Sequence, residues 1–142
     1  MTRDWDRRKQ RGTDLRRPGA VVIGADTLVV ARGTRMGKPD GAAQAAEMLR
    51  RLQGRTHEVW SGIAVVRDRE TRTASECTRV QFARMSEADI AGYVATGEPL
   101  DKAGGYGIQG RGAMFVRRIE GDFFNVVGLP LQRLRALLAE FT

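Results

Sequence analysis

The sequence of residues 20–40, AVVIGADTLVVARGTRMGKPD, is the stretch that decides the fold. It begins with a short apolar run rich in β-branched side chains, Ala20–Gly24, which predicts a buried strand. The strand pattern resumes at Thr27–Ala31, so we expect two strand pieces with Asp26 at a break between them, followed by a turn. A carboxylate at the end of a buried strand is held rigidly and is partly removed from water. That setting suits a general base or a ligand of a divalent metal.

Patterns of helix and strand follow one another along the rest of the chain. Apolar residues at helical spacing predict helices, and short β-branched or alternating runs predict strands. Helices are predicted at Asp40–Leu52, Ser86–Thr96 and Leu131–Phe141, and strands at His57–Arg67, Ala74–Phe82, Ala113–Ile119 and Phe123–Val127. The last two strands should form a hairpin. This order predicts an α/β or α+β fold with a mixed sheet.

The composition predicts one soluble globular domain. A chain of 142 residues with 42% hydrophobic and 29% charged residues is ordinary for this class. No run approaches the roughly 18 apolar residues of a membrane span, and no apolar segment follows the basic N-terminus as in a secretory signal. Cys77 has no second cysteine to pair with, so we interpret it as a strand residue in a cytoplasmic protein.

The net charge of +7 raises the question of nucleic-acid binding. Residues 1–18 hold seven basic and three acidic side chains, whereas the other 124 hold 17 and 14. We therefore expect a disordered or atypical basic leader at residues 1–19 and one domain at residues 20–142, with no specific nucleic-acid partner. A nucleic-acid-binding module that uses the leader stays open as an alternative, although 6% aromatic residues offer little stacking surface.

Two lysines and a glycine-rich run are candidate ligand-binding features. Only three of the 24 basic residues are lysines, and Lys38 and Lys102 lie in motif-like contexts that suit contacts with phosphate. Asp101–Gly112 contains five glycines, whose amides can approach a ligand closely. The amide of Gln109 both donates and accepts, so it could complement the edge of uracil or thymine. The alternatives are a plain surface loop here and a turn-capping role for Asp26.

Six motifs, taken together, resemble the Maf (septum-formation) family of nucleotide pyrophosphatases. In chain order they are GADT, GKP, LRRLQGRTHEVWSGIAV, YVATGEPLDKAGGYGIQG, FV and NVVGLP, and the resemblance covers about Ala20 to Phe141. It implies a Maf/ITPase-like fold with a cleft across a curved mixed sheet flanked by helices. It also implies a hydrolase that converts a nucleoside triphosphate to the monophosphate and pyrophosphate, and a homodimer as in related proteins.

The resemblance assigns a role to each candidate residue. Thr27 and Gln109 imply the branch that acts on dTTP and UTP, and Asp26 is implied as the proton acceptor. Lys38 and Lys102 are implied as phosphate contacts, and Asp26 and Asp101 as ligands of Mg²⁺ or Mn²⁺. Such a metal would neutralise the phosphate oxygens while Asp26 positions and deprotonates a water.

One departure from the family pattern lowers the expected activity. The family normally opens with a strand, a Ser-x-Ser-Pro-Arg-Arg phosphate-binding loop and a helix, which this sequence lacks. Losing one charge-stabilising donor commonly lowers a rate by roughly 10²–10³. We therefore expect an N-terminally truncated domain with weak or no activity, and a catalytically dead nucleotide-binding remnant is the alternative. A missing strand could also expose a sheet edge and alter the dimer.

Overall fold

The computed structural model describes residues 18–141, which form an antiparallel sheet flanked by helices. The predicted leader lies outside the described residues except for Pro18 and Gly19, which form a turn. The strands are β1 (Val22–Ala31), β2 (Thr34–Met36), β3 (Thr56–Arg67), β4 (Glu70–Phe82) and β5 (Val116–Glu120). The α-helices are α1 (Ala42–Leu52), α2 (Glu87–Ala95), α3 (Phe123–Val127) and α4 (Leu131–Ala139).

The five described strands form one sheet in the order β2-β1-β3-β4-β5. The expected class, a sheet flanked by helices, is confirmed, with the difference that every pairing between these strands is antiparallel. Short turns account for two of these pairings, since β1–β2 and β3–β4 are neighbours along the chain. None of the described helices is long and apolar enough to cross a membrane.

The predicted break at Asp26 is wrong, because β1 is continuous. Asp26 lies in the middle of the strand and pairs with Gly62 of β3, while Gly24 pairs with Ala64. Glycine and aspartate have low strand propensity, but a full ladder with a long neighbour overrides local preference. The candidate carboxylate is therefore held by strand pairing on both sides of it along the chain.

The predicted strand at Phe123–Val127 is also wrong, because these residues form the short helix α3. An apolar run of five residues does not distinguish a strand from a helix by periodicity. The informative signals lie at its ends. The Asp122 side chain accepts a hydrogen bond from the amide of Phe124 at 2.8 Å, and Gly128 ends the helix at φ 135°. No hairpin forms there, and the preceding segment starts with a 3₁₀ turn, Arg111–Phe115, before β5 pairs with β4.

The two main apolar clusters of the described residues lie on the same face of the sheet. Alternate residues of β3 share a face, and on this face Val59 belongs to a cluster with α1 and α2, whereas Ile63 and Val65 belong to one with α4. Between the two apolar clusters the buried Asn125 amide donates to Val59 O at 3.0 Å, Glu76 O at 3.2 Å and Thr78 Oγ1 at 2.9 Å. These bonds fix α3 at the middle of the sheet, beside Asp26 and Thr27.

Candidate active site

A cleft of about 270 Å³ lies where β1, the turn before α1, the glycine-rich segment and the end of α3 meet. Five of the six candidate residues line it: Asp26, Thr27, Lys38, Asp101 and Lys102. They come from three separate parts of the chain. The cleft therefore places two carboxylates and two ammonium groups around one space.

Gly104 brings the glycine-rich segment against β1. Its amide donates to Gly37 O at 3.0 Å, and its φ of 77° is one that side chains disfavour. A Cβ at this position would lie 2.9 Å from the side chain of Val29. Glycine is thus required both by backbone conformation and by space, and the contact places Lys102 near the turn that carries Lys38.

Only one carboxylate oxygen of Asp26 accepts a hydrogen bond from the described residues. The side chain is half-buried, and its Oδ1 accepts a hydrogen bond from the amide of Thr27 at 3.0 Å. No residue among those described bonds its other carboxylate oxygen. That oxygen can therefore take a water molecule or a cation that enters the cleft.

The two lysines are available to an anionic ligand. Lys38 is exposed and has no charged partner within residues 18–141. Lys102 Nζ lies 3.2 Å from Asp101 Oδ1, with both side chains largely in water. Since an exposed pair contributes only about 0–1 kcal/mol, phosphate can displace Asp101 from Lys102 at little cost.

Thr27 connects β1 to the opposite wall of the cleft. Its Oγ1 lies 3.0 Å from Ser61 Oγ and donates to Gly128 O at 3.4 Å. Ser61 in turn donates to Asn125 O at 3.3 Å. The hydroxyl of Thr27 lines the cleft while bonded to the protein, so it supports the end of α3 as well as facing a ligand.

Gln109 lies in an adjoining cleft of about 320 Å³, not beside Asp26. The two clefts share Lys102, Tyr106, Val126 and Val127 as lining residues. Gln109 itself is exposed. One elongated ligand can thus lie with a charged end near Lys38 and Lys102 and its other end at Gln109.

The glycine amides are not available as a phosphate cradle. Each of the five glycines between positions 104 and 112 donates its amide within the protein. The acceptors are Gly37 O, Lys102 O, Tyr93 Oη, Gly107 O and Glu98 Oε2. The glycine amides of this segment are therefore already hydrogen-bonded and are not free to bind a ligand.

A buried pair, His57 and Tyr106, supports the wall between the two clefts. His57 Nε2 lies 2.6 Å from Tyr106 Oη, and both rings pack edge-on against Phe82. Burial lowers the pKa of His57 to about 4 and raises the pKa of Tyr106, so both are neutral near pH 7. The interpretation of Cys77 as a strand residue is confirmed, since it lies on β4. That of His57 as a strand residue satisfied by a neighbour holds for Nε2, whereas its buried Nδ1 has no hydrogen-bond partner among the described residues.

The cleft offers two carboxylates that could serve as ligands of a divalent metal ion. No group of three or more histidine, cysteine or acidic side chains among residues 18–141 is arranged to hold a metal. Asp26 and Asp101 nevertheless line the same cleft. Mg²⁺ commonly takes one or two protein carboxylates and completes its shell with waters and substrate phosphates.

Sequence patterns assign no role to three residues that shape this site: Tyr93, Glu98 and Asn125. The motifs that contain them were recognised, but their contacts join residues far apart in the chain, such as Glu98 with Gly112 and Asn125 with Val59. The one local signal for Asn125 is that a polar asparagine stands inside an apolar run, which indicates a buried side chain that needs hydrogen-bond partners.

Comparison with known proteins gives a consistent family match. The family model described as Maf-like protein matches residues 4–141. The chain is 53% identical over 134 residues to a dTTP/UTP pyrophosphatase of Symbiobacterium thermophilum, covering 94% of this chain and 69% of that protein. It is 58% identical over 125 residues to a dTTP/UTP pyrophosphatase of Moorella thermoacetica, covering 86% and 64%. The chain thus spans between three fifths and three quarters of the length of these curated relatives.

Proposed function

Since the chain belongs to the Maf-like protein family, we propose that it hydrolyses dTTP and UTP to the nucleoside monophosphate and pyrophosphate. Relatives that share about half of its residues carry the name dTTP/UTP pyrophosphatase. The observation that carries the proposal is the cleft lined by Asp26, Lys38, Asp101 and Lys102, which adjoins the cleft of Gln109. Together the two clefts have a charged end and an uncharged end, which match the triphosphate and the base of a nucleotide.

The charged end suits a triphosphate. Lys38 and Lys102 place compact positive charges where phosphate oxygens need neutralisation. Phosphoryl transfer depends mainly on positioning and charge stabilisation, which preorganised ammonium groups supply. When bound, Mg²⁺ or Mn²⁺ would be held by Asp26 and Asp101 and would neutralise further phosphate charge.

Asp26 is the proposed proton acceptor. One of its oxygens is held by the Thr27 amide, which leaves the other to orient a water molecule. The water oxygen forms a bond to the α-phosphorus as its proton passes to Asp26. The bond between the α-phosphorus and the bridging oxygen breaks, and pyrophosphate leaves with its new charge near the lysines. The nucleoside triphosphate and one water molecule are the only reactants of this step, and the atoms and charges of its products balance theirs.

The uncharged end suits a pyrimidine base. Gln109 presents an amide that can accept from the N3–H group and donate to the O4 oxygen of uracil or thymine. Val126 and Val127 supply apolar surface beside it. Thr27 is retained as the second specificity residue of this proposal, acting through the end of α3 that its hydroxyl contacts.

We also propose that the protein forms a homodimer and is located in the cytoplasm. The exposed apolar side chains Phe123, Phe124 and Leu131 support a second copy as partner, since such a group is usually covered in a soluble protein. The unpaired Cys77 is compatible with a reducing compartment. Sedimentation at several concentrations measures the oligomeric state, and a monomer throughout would refute the dimer.

Turnover and binding measured together test the function. Pyrophosphate release is followed with dTTP, UTP, dATP and dGTP, with and without Mg²⁺, beside calorimetric titration of the same nucleotides. Release that is faster with dTTP and UTP supports the proposal, and binding of these two without release supports the dead remnant instead. Equal behaviour with the purine nucleotides contradicts both.

A further inference from the structure

The glycine-rich loop at residues 107–112 is held by two side chains from outside it. Glu98 Oε1 accepts from the amide of Arg111 at 2.9 Å, and Glu98 Oε2 accepts from the amide of Gly112 at 3.0 Å. The hydroxyl of Tyr93 donates to Glu98 and accepts from the amide of Gly107 at 3.0 Å. Both ends of the loop that carries Gln109 are thus tied to one hydrogen-bonded pair.

The glycine spacing in the loop follows from this contact. A Cβ on Gly110 would lie 2.0 Å from Glu98 Oε1, and one on Gly112 would lie 2.5 Å from Tyr93 Oη. A Cβ on Gly107 would lie 2.9 Å from Lys102 Cε. The loop therefore passes over Glu98 and Tyr93 at a distance that only glycine permits.

The charges of the pair favour the same arrangement. Burial opposes ionisation of Glu98, but the hydrogen bonds from Tyr93 and from the amides of Arg111 and Gly112 together lower its pKa. Burial and the bond to Glu98 raise the pKa of Tyr93, so its hydroxyl stays a donor. Hydrogen bonds to an ionised acceptor are about twice as strong as those between neutral groups.

Glu98 lines the Gln109 cleft but is not free to act on a ligand there. Both of its oxygens already accept hydrogen bonds from the protein. A carboxylate acting as a base or a metal ligand needs an oxygen that faces the reacting groups. The hydrogen bonds of its side chain instead all lead to the tyrosine and to the loop.

We propose that Glu98 and Tyr93 are positioning residues for base recognition, because they hold the loop at residues 107–112 in the conformation that presents Gln109 to the pyrimidine. This inference rests on the proposed function and adds the residues that determine its selectivity. A loop fixed before binding does not have to be ordered by the ligand, so its hydrogen bonds contribute fully to affinity. A released loop weakens contacts with the base while Lys38 still meets the phosphates.

Calorimetry in an Asp26→Asn background, where we expect hydrolysis to be slowed about 10²-fold or more, measures binding of the base and of the phosphates separately. The ligands are dTTP, dATP and inorganic tripolyphosphate, which has no base. With Glu98→Gln or Tyr93→Phe, we expect dTTP affinity to fall roughly tenfold while tripolyphosphate affinity stays within about twofold. Unchanged dTTP affinity, or an equal loss for tripolyphosphate, would overturn the inference.

A double-mutant cycle distinguishes positioning of Gln109 from general damage. If Glu98 acts through Gln109, adding Glu98→Gln to Gln109→Ala lowers dTTP affinity no further. Independent, additive losses would overturn the inference. Failure of the proposed function is recognised separately, because the parent protein would then show no preference for dTTP over dATP. Denaturant unfolding of every variant confirms that the compared proteins are folded.

Discussion

The amide of Gly104 lies 3.0 Å from the carbonyl oxygen of Gly37, and this one backbone hydrogen bond joins the two segments that carry Lys102 and Lys38. Neither segment is near the other in sequence. Their contact depends on a glycine with φ 77° that packs directly on Val29. The charged end of the candidate site is therefore built on a backbone contact that any side chain would disturb.

The first prediction concerns this contact. Gly104→Ala should lower the free energy of unfolding by roughly 1–3 kcal/mol, because its Cβ meets Val29 and its backbone conformation is strained. It should also weaken tripolyphosphate binding. Gly92→Ala is the matched control, since Gly92 lies exposed in α2 and a Cβ added there meets no other atom within 4 Å. Its free energy of unfolding should stay unchanged or rise slightly, because alanine favours a helix more than glycine does. Equal destabilisation of both variants would contradict the account.

The second prediction concerns the two lysines. Lys38→Ala and Lys102→Ala should each weaken binding of tripolyphosphate and of dTTP by about tenfold, since each removes a charge that meets phosphate. The salt dependence of binding should become shallower in both variants. Arg118→Ala on the edge strand β5 is the control, because that side chain lines neither cleft and pairs with Glu120. A loss as large for Arg118→Ala would show that only net charge matters.

The third prediction concerns pH and His57. Burial lowers its pKa from 6.5 to about 4, so the unfolded chain binds more protons between these values. The free energy of unfolding should therefore fall as the pH drops from 6.5 to 4, by an amount on the order of 3 kcal/mol from this residue. His57→Phe combined with Tyr106→Phe removes the titrating ring without leaving an unpaired hydroxyl. Denaturant unfolding at several pH values should show a flatter dependence for this variant, and an unchanged slope would refute the prediction.

The fourth prediction concerns Asn125, whose amide makes three hydrogen bonds in the middle of the core. Asn125→Asp should destabilise the fold by roughly 2–4 kcal/mol, because a carboxylate cannot donate to the carbonyl groups of Val59 and Glu76. Since α3 walls both clefts, dTTP binding should weaken as well. Gln132→Glu on the exposed surface of α4 makes the same chemical change as a control. Equal stability of the two variants would contradict the role of Asn125.

Much of the site could be predicted from the chain because its residues stand in ordered motifs. Asp26, Thr27, Lys38, Asp101 and Lys102 do line one cleft. Local patterns failed where tertiary pairing overrides them, as in the continuous β1, or where an apolar run is too short to show a period, as in α3. The contact of Glu98 with the loop that carries Gln109 was not predictable, because spacing alone does not reveal which backbone amides donate to a side chain from elsewhere in the chain.

Pyrophosphate release from dTTP by the parent protein and by Asp26→Asn, measured beside binding of the same nucleotide, tests the central claim most directly. The account predicts that Asp26→Asn lowers the rate by about 10² or more while dTTP binding is largely retained, because the amide keeps the shape of the side chain but cannot accept the proton. Inorganic phosphate should not appear in place of pyrophosphate. A rate unchanged by Asp26→Asn would contradict the assignment of Asp26 as the catalytic carboxylate.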